Sequence, residues 1–576
     1  MSISRLRESY VRRVASPADV VTGIFERIQT EGVRPVWISL VDRAAAIERA
    51  RTVDLSLPLG GVPFAVKDNF DVAGMSTTAG CPSFAYEPAK SATVVQRLID
   101  AGAILIGKTN MDQFATGLVG VRSPYGACSS VFDSRYISGG SSSGSAVAVA
   151  KRLCAFSLGT DTAGSGRVPA AFNNLLGLKP TRGLVSCSGV VPACKSLDCV
   201  SVFTATAADS IAVWQAARGF DANDPSSRTF TPGAGAAPWL SGAFRFGVPE
   251  ESQLKFFGDW ETPALYRKAI EKIEKSGGIK TTIDFTVFRE AAELLYSGPW
   301  VAERFAAVGD FLQMGTEGVN EVVSRIILGG EKYSAADAYR SMYRLEELKQ
   351  RAAGQWSMMD ILLLPTAGTI HTHGAVEADP IRLNSNLGYY TNFVNLMDLA
   401  AIAVPAGFRG DGLPFGVSLI GPAFSDEALL ALAARYLGEA AVPSAPGCVL
   451  VAVVGAHLSG QPLSHQLTDR GARLVKSCRT GPEYRLFALN GATPPKPGLI
   501  RDEEFDGWGI EVEVWAIPEN HFGGFAAAVP SPLAIGNVRL DDGAWVKGFL
   551  CEPAGVAGAA EITRFGGWRS YVQNAG

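Results

Sequence analysis

Histidine is scarce in this chain and poorly placed for a familiar catalytic role: five occur in 576 residues, at 371, 373, 457, 465 and 521. A Ser-His-Asp triad would need His371 or His373 to fold back onto the N-terminal half, and no GxSxG elbow surrounds Ser165, the serine that the glycine-rich region singles out. Cysteine is unpatterned. The nine cysteines form no CxxC pair and are odd in number, which suits thiols packed as small hydrophobes in a reduced cytosol better than a disulfide framework. No apolar run reaches the length of a membrane span, because Gly, Ser, Lys or Arg interrupts each candidate. The opening MSISRLRESYVRRVASPADV contains no apolar signal core. Charge of one sign is lacking as well: charged residues make up 19% and the formal net charge is −4, so neither disorder nor a polyanion-binding surface is indicated. These absences predict a cytoplasmic protein without membrane or nucleic-acid partners.

What the chain does have is length and apolar content. At 576 residues and 47% hydrophobic, it exceeds one ordinary core, so two or more domains are expected. Ser16-Pro17-Ala18-Asp19 predicts a helix start, with a capping hydroxyl, a proline at the first turn and an acid at its third position. A second helical stretch is expected near Leu40 to Val53. From Leu57 the pattern becomes α/β: a short apolar strand, Val62 to Val66, delivers Lys67 to its end, and SATVVQRLIDAG and AILIGKTN read as helix and strand. Residues 231–242 read as loop, FRFGVP as strand and PALYRKAIEKIEKSGG as amphipathic helix. Thr286 to Gly354 is expected to be mostly helical. ILLLPT, LAAIAVPAGF and FGVSLIG supply further strands before a closing helix, SDEALLALAARYLGEAA.

AVPSAPG, residues 441–447, marks the boundary between a domain over 1–440 and a second over 448–576. In the second, VLVAVVGAH, YRLFALN, GIEVEVWAIP, NVRLDDGAWVKGFLCE and TRFGGWRSYVQ read as strands of a compact α+β module.

The chemistry concentrates between Ser138 and Gly183, where two glycine/serine loops flank an apolar segment. In GTDTAGSGR, glycine before Ser165 permits a sharp turn, so that N–H groups from Thr162 onward can converge on one spot. A serine nucleophile needs a base, and Lys67 is the economical candidate: burial at a strand end would depress its pKa and leave a neutral amine. Ser141 can donate and accept at once, and so can relay a proton between the two. Gly139 and Gly140 allow the unusual backbone that this placement requires, including a cis peptide bond. GGSSSGS lacks the GK[ST] ending of a phosphate loop. Asp161 and Arg167 flank the nucleophile loop and are read as holding it. A plain flexible loop at AGSG and a surface lysine at 67 are the bland alternatives.

GGSSSGSAVAVA, then GTDTAGSGRVPAAFNNLLGLKPTRG, preceded by GVPFAVKDNF, together resemble the amidase signature family over roughly residues 20 to 440, with the two serines 24 residues apart. The resemblance implies a central mixed β-sheet covered by helices. It also implies a Ser-cisSer-Lys triad of Ser165, Ser141 and Lys67, and an oxyanion hole from the backbone at Thr162, Ala163 and Gly164.

The helical insertion carries ELLYSGPWVAERF, with Tyr296 and Arg304 eight residues apart. An arginine facing an apolar cavity would select a carboxylate. Together with a C-terminal module containing VVGAHLSGQPLSHQL, YRLFALNGATPPKPGLIR and VKGFLCEPAG, this layout is similar to the allophanate hydrolase family. That similarity implies hydrolysis of urea-1-carboxylate to ammonia and carbon dioxide, with Tyr296 and Arg304 on the carboxylate and the Gly117 backbone at the amide. It further implies a homodimer and a functional link to urea carboxylase. No metal or organic cofactor is needed for this chemistry. The module resembles a gamma-glutamylcyclotransferase-like fold, implying help in decarboxylating the first product, with His457 as the candidate group; an assembly role competes. An amidase of the same family acting on another small amide or on glutamine, and a non-catalytic scaffold, remain open at this point.

Overall fold

The structure is a computed structural model that describes residues 1–229, 243–315, 317–439, 448–491 and 493–575. The expected loop at 231–242 and the linker at 441–447 lie outside the described residues. Those up to 439 form one compact unit and those from 448 a second.

The first unit is built on a mixed sheet. Its strands are β1 (Trp37–Leu40), β2 (Pro63–Lys67), β3 (Ile104–Thr109), β4 (Phe156–Asp161), β5 (Leu176–Lys179) and β6 (Cys199–Thr204). They continue as β7 (Phe244–Pro249), β8 (Gly278–Ile283), β9 (Ile361–Pro365), β10 (Ala400–Phe408) and β11 (Pro414–Gly421). Among the described residues they pair in the order β1-β3-β2-β4-β6-β5-β10-β11-β9-β7-β8. β2 runs parallel to β3 and β4, whereas β4 and β6 are antiparallel. The central strands are buried on both faces, which is why they read as continuous apolar runs. Phe64 and Val66 pack into one core and Ala65 into another on the opposite side, the period of two that a pleated strand imposes. Ile361 and Leu363 divide from Leu362 and Leu364 in the same way.

Helices cover both faces. Pro17–Glu31 starts as its residues predict: the Ser16 hydroxyl accepts from Asp19 N–H while the Asp19 carboxylate accepts from Ser16 N–H. The insertion after β8 is helical over Thr286–Ser297, Trp300–Met314, Glu321–Leu328 and Ala335–Trp356. The structure departs from expectation at two points. The helical lead-in is interrupted by β1, where Trp37 is fully buried, and its second helix spans Arg43–Thr52. β8, which follows the PALYRKAIEKIEKSGG helix and for which no element is expected, is an edge strand beside β7, its exposed residues having masked any apolar pattern.

In the second unit, β12 (Cys448–Val453), β13 (Arg473–Arg479), β16 (Glu511–Pro518), β17 (Leu533–Arg539) and β18 (Trp545–Cys551) form a sheet ordered β13-β16-β12-β18-β17. β14 (Tyr484–Ala488), β15 (Pro497–Arg501) and β19 (Ala560–Glu561) make a smaller one. The α+β expectation stands, with one correction: TRFGGWRSYVQ is not a strand but leads into the helix Trp568–Ala575. Trp568 and Tyr571 are three apart, and their rings meet at 5.4 Å as neighbours on one helix face.

Candidate active site

Lys67 ends β2 with no side-chain exposure, carried inward by the apolar residues before it. Its Nζ donates to Ser141 Oγ at 2.7 Å and to Thr160 Oγ1 at 2.8 Å. Burial brings its pKa down to about 7, against the upward pull of the Asp112, Asp198 and Asp161 carboxylates, with the Arg304 charge adding to the fall. The lysine is thus poised between amine and ammonium at neutral pH.

Ser141 lies just ahead of the helix Ser143–Ala150 and follows a cis peptide bond from Gly140. Gly140 has no room for a side chain, because a Cβ would strike the Asp112 carboxylate and the Gly120 backbone. Asp112 holds this corner: its carboxylate accepts from Gly120 N–H at 3.0 Å and Arg122 N–H at 2.8 Å, and its own N–H donates to the Ser141 carbonyl at 3.0 Å.

Ser165 sits almost buried in the loop after β4, its hydroxyl donating to the Gly117 carbonyl at 3.5 Å. Among the described residues no hydrogen bond joins Ser165 to Ser141. The loop is shaped by Asp161, whose carboxylate receives Arg167 Nε and Nη2 at 2.9 Å each and the N–H groups of Gly164 and Gly166 at 2.9 and 3.1 Å. Burial would raise the Asp161 pKa, but the facing guanidinium carries it below the usual carboxylate range. Thr391 donates to the Ala163 carbonyl at 2.6 Å and fills the space where a Gly164 side chain would stand, at a φ of +130° that favours glycine. The expected oxyanion donors therefore differ among themselves. Gly164 N–H is already committed to Asp161, whereas among the described residues no acceptor takes the N–H of Ala163 or Ser165.

The insertion brings Tyr296 and Arg304 together, the guanidinium carbon lying 5.6 Å from the ring centre. Arg304 is 2% exposed. Its Nη1 donates to Thr116 Oγ1 at 3.1 Å and to the Ala115 carbonyl at 3.4 Å, close in sequence to Gly117, while Nε and Nη2 are buried without a partner. Buried guanidinium donors are rarely left empty, and the fork of two N–H groups matches a carboxylate.

The histidines of this unit take no part: His373 is bonded to Ser129 at 3.0 Å, and no histidine among the described residues bonds Ser165. In the second unit, His457 stacks on Phe549 at 4.9 Å and its Nε2 pairs with Gln466 at 3.0 Å. It lines a cavity of about 250 Å³ with Lys496, and burial lowers its pKa despite the Gln466 bond.

Sequence reasoning misses three contributors. Thr160 stands inside the GTDTAGSGR motif and shares Lys67, so its signal is present. Asp112 and Asp198 carry none: Asp198, its pKa raised by burial, receives the Thr162 hydroxyl, but it lies in an unremarkable SLDCV stretch.

A near-neutral lysine bonded to one serine, with a second serine in a loop where two amides are unclaimed, is an arrangement suited to acyl transfer of the kind amide hydrolysis uses. Known sequences make that particular. A family profile described as Amidase matches residues 25–430, and one described as Allophanate hydrolase C-terminal domain matches 449–573; the chain belongs to the amidase family. It is 43% identical to the urea amidolyase of Saccharomyces cerevisiae, over 95% of this chain but 32% of that protein, so it spans about a third of the relative's length. A glutamyl-tRNA(Gln) amidotransferase subunit of Trichormus variabilis is 34% identical over 76% of this chain and 97% of its own. The solved Kluyveromyces lactis allophanate hydrolase superposes with a TM-score of 0.76 and 41% identity, covering 100% of this chain and 99% of that one.

Proposed function

We propose that the protein hydrolyses allophanate, urea-1-carboxylate. The observation that carries this reading is Arg304: a buried guanidinium with two unpartnered nitrogens beside Tyr296, felt electrostatically at Lys67. Glutamine carries a carboxylate as well, so the choice between the two substrates rests on coverage: the amidotransferase relative matches only 76% of the chain, whereas allophanate hydrolase of K. lactis matches all of it.

In this reading Arg304 and Tyr296 hold the carboxylate, and the Gly117 backbone helps to orient the amide. Neutral Lys67 takes a proton from Ser141, which takes one from Ser165. Ser165 Oγ bonds to the carbonyl carbon, and the oxyanion is received by the N–H groups of Ala163 and Ser165, with Thr162 shaping the loop. The bond to the terminal nitrogen breaks, the proton returns through Ser141 to that nitrogen, and ammonia leaves. Water then cleaves the acyl-enzyme, giving N-carboxycarbamate. That product takes up a proton, loses carbon dioxide to become carbamate, and carbamate takes up a second proton to yield ammonia and a second carbon dioxide. His457, in its cavity with Lys496, aids the decarboxylation. A cytoplasmic homodimer acting after a urea carboxylase, whether fused or separate, completes the proposal.

Ammonia release from allophanate, compared with glutamine and biuret, tests it. Turnover of allophanate at least a hundredfold above glutamine is expected, and activity on glutamine alone would sink the assignment.

A further inference from the structure

The loop from Asp112 to Arg122 touches every part of the site. Asp112 N–H donates to the Ser141 carbonyl at 3.0 Å, and the Leu118 carbonyl accepts from Gly140 N–H at 2.8 Å. The Gly117 carbonyl accepts the Ser165 hydroxyl at 3.5 Å. The Thr116 hydroxyl and the Ala115 carbonyl accept from Arg304 at 3.1 and 3.4 Å. A single step of chain, Thr116 to Gly117, therefore separates the support of the carboxylate clamp from the support of the nucleophile.

Arg122 holds that step from within. Its backbone closes the loop, since its N–H donates to the Asp112 carboxylate at 2.8 Å and its carbonyl accepts from Gln113 N–H at 2.9 Å. Its guanidinium then reaches back: Nη1 donates to the Thr116 carbonyl at 3.0 Å, and Nη2 to the Pro380 carbonyl, outside the loop, at 2.6 Å. Nη1 also packs against Gly117, where a Cβ would stand 3.2 Å from it. Arg122 is 2% exposed. Its guanidinium bonds go to carbonyls, and among the described residues no carboxylate forms an ion pair with it. Burial lowers its pKa and the Arg304 charge lowers it further, against the pull of Asp112. An uncharged side chain would fill this volume without that cost. What a guanidinium alone supplies is a planar fork that fixes two carbonyls in one geometry.

Resting on the reading of Arg304 as a carboxylate clamp, we propose that Arg122 is a positioning residue that fixes the gap between the clamp and Ser165. A substrate anchored at its carboxylate then presents its amide carbonyl at attacking distance, and a misplacement of about 1 Å there costs on the order of 10²-fold in rate.

The test is steady-state kinetics of the full chain on allophanate, with Arg122→Met and Arg122→Lys each made in the parent and in the Arg304→Ala background, and thermal melting of every protein. In the parent, both substitutions are expected to lower kcat roughly 10- to 100-fold with KM held within about threefold, because the clamp still binds while the carbonyl is misplaced. Lysine should not rescue, since it keeps the charge but lacks the fork. In the Arg304→Ala background, where no anchored carboxylate defines the gap, the further loss should stay under about threefold. Restoration by lysine, a loss carried by KM, or the same fold-loss in both backgrounds would overturn the assignment; the last is what a purely structural arginine gives. Should Arg122→Met fail to fold, Arg122→Lys carries the same comparison between backgrounds. A parent inactive on allophanate, or an Arg304→Ala protein as active as the parent, would overturn the substrate reading itself and this proposal with it, an outcome distinct from any response of the Arg122 variants.

Discussion

In the proposed mechanism Lys67 sets the pH behaviour. Its pKa of about 7 means that the amine is neutral above that value and protonated below it. The expected kcat/KM profile therefore rises with unit slope through about pH 6 and levels off near pH 8; a lysine of ordinary pKa would keep the slope to about pH 10. Lys67→Met should lower kcat by on the order of 10²–10⁴ at pH 8, since it removes the base while matching its bulk. Arg304 is the second test at this scale. Arg304→Ala should cost about 10- to 100-fold in kcat/KM on allophanate, mainly through KM, the worth of a charge-assisted carboxylate pair. Hydrolysis of an uncharged amide should change little, and an equal loss there would make Arg304 structural. Most of this chemistry is legible in the sequence because it sits in glycine-punctuated motifs: residue type and spacing alone point to Lys67, Ser141 and Ser165. Asp112 and Asp198 escape such reading, because each is an ordinary polar residue made significant by distant partners. Gly164 is the intermediate case, a glycine whose conformation the motif foretells but whose N–H is spent on Asp161.

Among the elements, the turn from Ala193 to Asp198 links the two ends of the site. Ser196 donates its N–H and its hydroxyl to Glu303 at 2.6 Å each, and Cys194 Sγ reaches the Trp300 carbonyl at 3.4 Å, so the turn grips the helix that carries Arg304. At its other end Asp198 accepts the Thr162 hydroxyl and the Ala193 N–H, and the Leu197 carbonyl accepts from Asn395 at 3.0 Å. Separate consequences follow for its two ends. Glu303→Ala loosens the clamp helix and should raise KM for allophanate roughly three- to tenfold with kcat retained, the worth of one or two partly exposed hydrogen bonds. Asp198→Asn disturbs the nucleophile loop and should act on kcat instead. Steady-state kinetics of both variants separates these, and a common effect on one parameter would remove the turn from this role. Such links are invisible to periodicity, which finds the buried strands β2, β9 and β11 readily from their apolar runs. It fails where the pattern is short or exposed: β1 is four residues long, and β8 faces water along most of its length. Residues 563–573 mislead because aromatic content suggests a strand, whereas the three-residue spacing of Trp568 and Tyr571 belongs to a helix.

The whole molecule joins two units with separate apolar cores, and those cores offer a way to test the two proposed chemistries apart. Among the described residues the apolar core of the second unit draws on residues from Val451 to Trp568 and shares none with the cores around the large sheet. A lesion in one core should therefore spare the other. Trp568 is 3% exposed and its ring meets that of Tyr571 at a tilt of 41° at the end of the second core, so Trp568→Ala should cost about 3–5 kcal/mol there, a large share of what holds a domain of this size. Calorimetry should show one transition falling and another unmoved. If the first unit cleaves the amide and the second hastens loss of carbon dioxide, the variant at a temperature between the two transitions should release the first ammonia from allophanate at the parental rate. The second should lag, following uncatalysed breakdown of N-carboxycarbamate. His457→Ala should reproduce that lag with both transitions intact, because it removes the group without the fold. Synchronous release of both ammonias in the two variants would leave the second unit without a part in the chemistry and favour its role in assembly.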